Sequence, residues 1–265
     1  MALSPQHAAS APAAEPARIS VVVCAYNEER YLKACLHSVL AQSRQPDQVL
    51  VVNNASTDGT RRIAERIEGV EVIDEWRRGL VRARETGRRH ATGDLLVYLD
   101  ADSRLPLGWL EMVERAFRRR PGLVGLSGAF RFYDWDCWGR FLVWLYDSTV
   151  APLTHGLVHH VLGIGAVFYG GAFCVRRQAL EAIGGFDTTI EFHGEDTNLG
   201  RRLTAVGTVK LTSRRPVFTS ARRYHACGKR AVFRLYLRNF FSELVWHRPR
   251  DTQHVDVRVS VPGPR

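Results

Sequence analysis

Lysine is nearly missing from this 265-residue chain: of 37 lysines and arginines only Lys33, Lys210 and Lys229 are lysine, so the positive charge is almost all guanidinium. Cysteine is sparse as well. Cys24, Cys35, Cys137, Cys174 and Cys227 are odd in number, widely spaced and form no CxxC pair, which excludes a disulfide scaffold or zinc knuckle and points to reduced thiols in the cytoplasm. There is no GxGxxG: the first β-branched run leads into CAYNEE (24–29), which holds no glycine, and no GxxxxGK[ST] occurs anywhere. Dinucleotide-binding enzymes and P-loop NTPases are thereby excluded. Residues 1–17 are rich in Ala, Pro and Ser without a basic start or an apolar core, so they read as a disordered leader and not as a secretory signal. Residues 148–175 carry no Asp, Glu, Lys or Arg, yet Pro152, Gly156, Gly163, Gly165, Gly170, Gly171 and three histidines interrupt them; a spanning helix is not expected.

What is present is an ordinary globular composition, 45% hydrophobic and 24% charged, with a formal charge of +10. Arginine excess suits phosphates or an acidic membrane surface. No helix-turn-helix, finger or RNP-type motif accompanies it, so no nucleic-acid partner is expected. From residue 19 onward short β-branched runs (19–23, 48–52, 70–73, 95–99) alternate with helical stretches (29–41, 60–67, 80–90). Strands apolar on both faces alternating with helices indicate βαβ units around a parallel sheet. Right-handed crossovers then bring the carboxyl ends of the strands to one edge, where open α/β sheets bind ligands.

Four segments should meet at that edge: 24–28, 53–58, the stretch before Arg84, and Asp100-Ala-Asp102. Two carboxylates one residue apart at a strand end can share a hard cation, and Mg²⁺ or Mn²⁺ typically combines such groups with substrate phosphates. Strand-end carboxylates are also common loop residues, just as Thr57 or Asp58 can cap the helix from Thr60 with Gly59 relieving the turn.

The ordered set VVCAYNEE (22–29), VVNNASTDGT (51–60), GLVRAR (79–84), GDLLVYLDAD (93–102), GGAFCVRRQALEAIGGFD (170–187) and GED (194–196) resembles the GT-A glycosyltransferases of family 2, over about residues 19–223. The resemblance implies an α/β, Rossmann-like, mostly parallel central sheet flanked by helices. It further implies a nucleotide-diphosphate sugar donor, a divalent cation (Mg²⁺ or Mn²⁺) and inversion at the anomeric carbon. Carried over by position, Ala25, Tyr26 and Glu28 line the nucleotide pocket, Asn54 sits beside the base, and Arg84 reaches base or phosphate. Asp102 is then the main metal ligand with Asp100 supporting it and facing the donor, and Asp196 is the general base beside Glu195. Many members carry Asp-Asp or Asp-Asn at Asn53-Asn54, which leaves the recognised base open. A non-catalytic nucleotide-sugar-binding or membrane-scaffold protein is the alternative that this departure suggests; the retention of Asp100, Asp102, Glu195 and Asp196 speaks against it.

Further along, residues 172–175 read as a strand, 178–183 as a short helix closed by Gly184-Gly185, and 197–205 as a helix ended by Gly207. Glu195 and Asp196 therefore fall at a helix N-terminus, where capping is the plain alternative to catalysis. Arg222 and Arg223 follow the last core strand, and Arg223 is placed on the donor diphosphate because guanidinium suits bidentate phosphate contact. His155 and His159 have an i, i+4 spacing with His160 beside them, but without HExxH or an evident third ligand they read as packed or surface histidines. His193 reads as a loop histidine.

Aromatic density at 130–146 suits an interfacial belt or an acceptor groove. At 228–248, Arg230, Arg234 and Arg238 share one helix face amid Phe233, Tyr236, Leu237, Phe240, Phe241, Leu244 and Trp246. Such a helix can lie on an anionic membrane or pack on the catalytic domain. The expected organisation is thus a leader (1–17), a GT-A domain (18–227), a basic aromatic helix (228–248) and a flexible tail (249–265) with alternating valines at 255–261. The expected location is cytoplasmic, peripheral at the inner face of the membrane, with a hydroxyl acceptor that is lipid-linked or part of the cell envelope.

Overall fold

In a computed structural model, the structure describes residues 15–247. The leader, apart from its last three residues, the tail at 249–265 and its alternating valines lie outside the described residues. Among the described residues one seven-stranded sheet runs in the order β3-β2-β1-β4-β6-β5-β7. Its strands are β1 (Ile19–Ala25), β2 (Gln48–Asn53), β3 (Glu71–Asp74), β4 (Leu95–Asp100), β5 (Leu123–Phe132), β6 (Ala172–Arg176) and β7 (Thr208–Thr219). All are parallel except β6, which runs against both β4 and β5.

The strand period of two divides the core between the faces. Val21 and Val23 of β1, Val49 and Val51 of β2, and Val97 and Leu99 of β4 pack on one face; Val22, Leu50, Val52, Leu96 and Tyr98 pack on the other. Helices α1 (Leu32–Leu40), α2 (Thr60–Glu65) and α4 (Trp109–Arg119) supply Leu32, Leu36, Ala64, Trp109 and Val113 to the first face. Helices α3 (Leu80–His90), α7 (Arg177–Ala182) and α8 (Glu195–Thr204) supply Val81, Ala83, Leu180, Leu199 and Leu203 to the second. Gly87 lets α3 lie close on the sheet, since a Cβ there would overlap Val22 Cγ1.

Between β5 and β6 the chain makes a helical excursion: α5 (Cys137–Leu145), a π-helical turn (Tyr146–Val150), α6 (Ala151–His155) and a second π-helical turn (Gly156–Val161). It leaves Trp138, Phe141, Leu142, Trp144, Leu153, Leu157 and Val161 exposed. Among the described residues no helix is long and apolar enough to cross a membrane.

Two helices close the described residues. After α9 (Arg222–Cys227), helix α10 (Lys229–Trp246) docks on α8. Its inward residues include Asn239, Ser242 and Glu243, while Phe233, Leu237, Phe241, Val245 and Trp246 face outward with Arg230, Arg234 and Arg238. Fully enclosed Glu243 accepts from Arg201 Nε at 2.9 Å and Asn198 Nδ2 at 3.1 Å. The helix thus both packs and presents a basic aromatic face.

Candidate active site

The carboxyl ends of β1, β2 and β4 lie side by side, with Cys24 in register with Asp100 and Ala25 with Asn53. Two of the turns that leave this edge pass through unusual backbone, Asn27 at φ 51° and Ala55 at φ 55°; a β-carbon disfavours that region, and such residues cluster at ligand sites. Asn27 fastens the two loops, accepting from Thr57 N at 2.8 Å and donating to Thr57 Oγ1 at 3.3 Å. Asp58 accepts from Thr60 N at 2.9 Å, the expected cap. Gly59 has an ordinary φ of −74°, so its value is size and not turn geometry: a Cβ would lie 2.9 Å from Glu29 Oε2.

Arg84 is the hub. Only 2% exposed, its guanidinium donates to Glu195 Oε1 at 3.1 Å, Asp100 Oδ1 at 3.4 Å and the Gly170 carbonyl at 2.7 Å. A buried charge is tolerable only when paired and hydrogen-bonded, and three acceptors meet that need. The Arg84 guanidinium is thus shared by the two carboxylates and the Gly170 carbonyl. Gly170-Gly171 make room for this, since a Cβ at Gly170 would sit 3.0 Å from Glu195 Oε1 and one at Gly171 3.2 Å from Asp100 Oδ2.

Glu195 and Asp196 form the first turn of α8 behind Gly194, whose φ of 86° makes glycine the cap in place of a carboxylate. Asp196 Oδ1 accepts from Thr197 N at 2.7 Å. Enclosure by protein pushes Glu195 up to about 7, with Asp196 adding repulsion and Arg84 opposing. Asp196 is also raised, mainly by enclosure, against the pull of its backbone donors and Arg84. Asp100 moves the same way, through enclosure first, with Arg84 opposing and Asp102 reinforcing. Strongly perturbed carboxyls gathered in one place are a mark of functional sites.

Asp102 Oδ2 lies 3.0 Å from Arg222 Nη2, and the same guanidinium grips Glu28 at 2.6 and 2.9 Å. Glu28, 3% exposed, thus ties the carboxyl-terminal segment to the β1 loop and does not line an open pocket. Asn54 is likewise committed: Nδ2 donates to the Glu75 and Arg77 carbonyls and Oδ1 accepts from Gly79 N. These bonds fix the loop at 75–79. Tyr26 is half-buried, with the Arg78 guanidinium 4.1 Å over its ring, and Ala25 is buried. Arg223 lies over Phe192 at 4.5 Å and donates to the Tyr236 hydroxyl at 3.0 Å.

Sequence reasoning named Arg222 beside Arg223 near the site, and Tyr236 only as one aromatic of the 228–248 helix. It missed Arg78, whose place over Tyr26 depends on where the 75–79 loop comes to rest.

With this arrangement in view, comparison with known proteins is decisive. The model of Glycosyl transferase family 2 matches residues 20–184. The chain belongs to glycosyltransferase family 2. Its fold is the GT-A α/β fold. The model of Glycosyl transferase family 21 matches residues 150–238, across the excursion and α10. Glycosyltransferase AglE of Haloferax volcanii is 35% identical over 197 residues, 71% of this chain and 62% of that protein. The glucosyl-dolichyl phosphate glucuronosyltransferase of the same organism is 24% identical over 189 residues, 67% of this chain and 58% of that protein. This family 2 chain therefore spans about six-tenths of the length of these curated relatives. A mannosyltransferase from Pyrobaculum calidifontis, solved with GDP-Man and Mn²⁺, superposes with a TM-score of 0.65 at 23% identity over 87% of this chain and 64% of that one.

Proposed function

We propose that this chain transfers a sugar from a nucleotide-diphosphate donor to a hydroxyl acceptor, with a divalent cation and with inversion at the anomeric carbon. The observation that carries the proposal is the gathering of Asp100, Glu195 and Asp196 around buried Arg84 at the carboxyl edge of the sheet, with Asp102 two residues on from Asp100 and paired to Arg222.

The residues present fit a hard cation. Asp102 already faces a positive group, Arg222 at 3.0 Å, and Asp100 stands two residues away at the same strand end, raised mainly by its enclosure. Asp102 and Asp100 would hold Mg²⁺ or Mn²⁺, oxygen donors of the type both ions prefer. Bound there, the ion would offset the charge that develops on the departing diphosphate. Arg222 and Arg223 add guanidinium donors on the same side. Asp196 takes the proton from the acceptor hydroxyl; its elevated affinity for protons makes it a stronger base than a solvated carboxylate. Glu195, paired to Arg84, fixes the first turn of α8 so that Asp196 faces the acceptor. Attack from the base side, opposite the leaving group, gives inversion.

For the acceptor, the reading is an anionic lipid-linked glycan or lipid phosphate met at the inner face of the membrane. A groove of about 530 Å³ is lined by His193, Arg223, Arg234 and Arg238. Beside it lie the outward aromatics of α10. A relative whose name specifies glucosyl-dolichyl phosphate supports this choice.

The test is a thermal-shift and donor-hydrolysis screen of nucleotide sugars with Mn²⁺ or Mg²⁺, in which one donor stabilises the protein only with metal. A folded preparation that binds no nucleotide in a metal-dependent way refutes the proposal. Flotation with anionic liposomes tests the membrane face: loss on replacing Phe233, Leu237 and Phe241 with Ser is expected, and unchanged flotation refutes it.

A further inference from the structure

The second π-helical turn brings together three histidines that play no part in the carboxylate centre. On an α-helix, residues five apart point about 140° away from each other. The i to i+5 winding at Gly156–Val161, seen in the Leu162 N to Leu157 O bond of 2.9 Å, returns the fifth residue to the same side. His155, His159 and His160 consequently share one face, with ring centroids 4.6 to 5.9 Å apart and candidate ligand nitrogens within 4.8 Å of one another. The third ligand that the sequence lacked is His160, invisible to an ordinary helical period.

Two details point to a ligand. His155 is 7% exposed, and its Nδ1 has no hydrogen-bond partner. A buried ring nitrogen in that state costs free energy unless something occupies it. His159 Nε2 accepts from Val209 N at a long 3.4 Å, a bond its lone pair gives up on turning to a metal.

We propose that His155, His159 and His160 bind a divalent transition-metal ion of borderline softness, zinc being the best fit. Three imidazoles match the ligand count of an open four-coordinate zinc site, with water completing it. Metal–nitrogen distances of about 2.0–2.1 Å would draw the nitrogens to roughly 3.4 Å apart, a modest closure for side chains on one turn. The ion would cross-link the turn of the excursion that carries all three histidines, and its nitrogen ligands separate it chemically from the oxygen-lined site of Asp100 and Asp102.

Untagged full-length protein, stripped by chelator and dialysed against zinc sulfate without nucleotide, provides the test. Wild type and Asp102→Asn should each hold one zinc per chain, whereas His160→Gln and His159→Gln should weaken it at least tenfold. Cobalt added to wild type should give the visible bands of a four-coordinate ion, absent in His160→Gln. Zinc should raise the unfolding midpoint of wild type but not of that variant. His160 is exposed, so its replacement leaves the core untouched. No zinc in wild type, equal zinc in the histidine variants, or zinc lost only in Asp102→Asn overturns the proposal.

Discussion

Replacing Arg84 with Met removes the one cation that Glu195, Asp100 and the Gly170 carbonyl share, while keeping most of the side-chain volume. Breaking a buried ion pair by deleting one partner costs about 3–5 kcal/mol. The lower end applies here, because Glu195 is already raised to about 7 and near pH 7 holds its proton part of the time. The cost has a definite pH dependence. Loss of the guanidinium raises the folded-state pKa of Glu195 further above its unfolded value, so between pH 7 and the new pKa the variant's folded state binds an extra proton. Its stability then falls as pH rises through that window, by about 1.4 kcal/mol per unit for one proton, and the deficit should be roughly 1–2 kcal/mol larger at pH 8.5 than at pH 6. Urea unfolding of wild type, Arg84→Met, Glu195→Gln and the double variant at both pH values measures this. The double variant should be more stable than the sum of the single losses predicts, by at least about 1 kcal/mol, as expected for contacting charges. Equal deficits at the two pH values together with additive losses would refute the hub role.

Three further outcomes are expected. Asp196→Asn should lower kcat by about 10²–10⁴ with donor binding retained, whereas Glu195→Gln should lose less; steady-state kinetics in the reverse order would make Glu195 the base. Gly87→Ala should cost about 1–3 kcal/mol by forcing a methyl into Val22, read as a lower midpoint in thermal unfolding. Glu243→Ala should strand Arg201 and Asn198 and release α10, so that hydrogen exchange accelerates over 229–246 while β1 and β4 stay protected.

Strands β1 to β4 were legible because Val, Ile and Leu fill both faces of each central strand. Helix α4 carries an equally clear signal in Trp109, Leu110, Val113 and Phe117, which a motif-centred reading passes over. Edge strand β7 is different: only Val209 and Val217 are buried, and Arg215 bends it at φ 53°. No alternation survives such a segment. At the site, residue types were readable while their direction was not. Arg84, Glu28 and Asn54 each look like ligand contacts in the sequence, the structure shows each buried with protein partners, and burial of a polar residue has no periodic signature. The histidine cluster escaped for a related reason, since π winding breaks the spacing rule by which helix faces are read.

Helix α10 docks with Asn239, Ser242 and Glu243 inward beside Val232 and Leu244, and the polar part of that contact fixes a length. Apolar packing tolerates sliding by a residue or a turn, but the directional bonds from Asn198 and Arg201 to Glu243 admit one register. The aromatic row of α10 therefore stands at a set height and angle relative to the acidic centre at the head of α8. Should that row rest on a bilayer, the helix would act as a ruler, deciding how far above the lipid surface a reacting hydroxyl must project. Lengthening or shortening the 220–229 connection would then change which acceptors are used before it changes how fast any sugar is transferred.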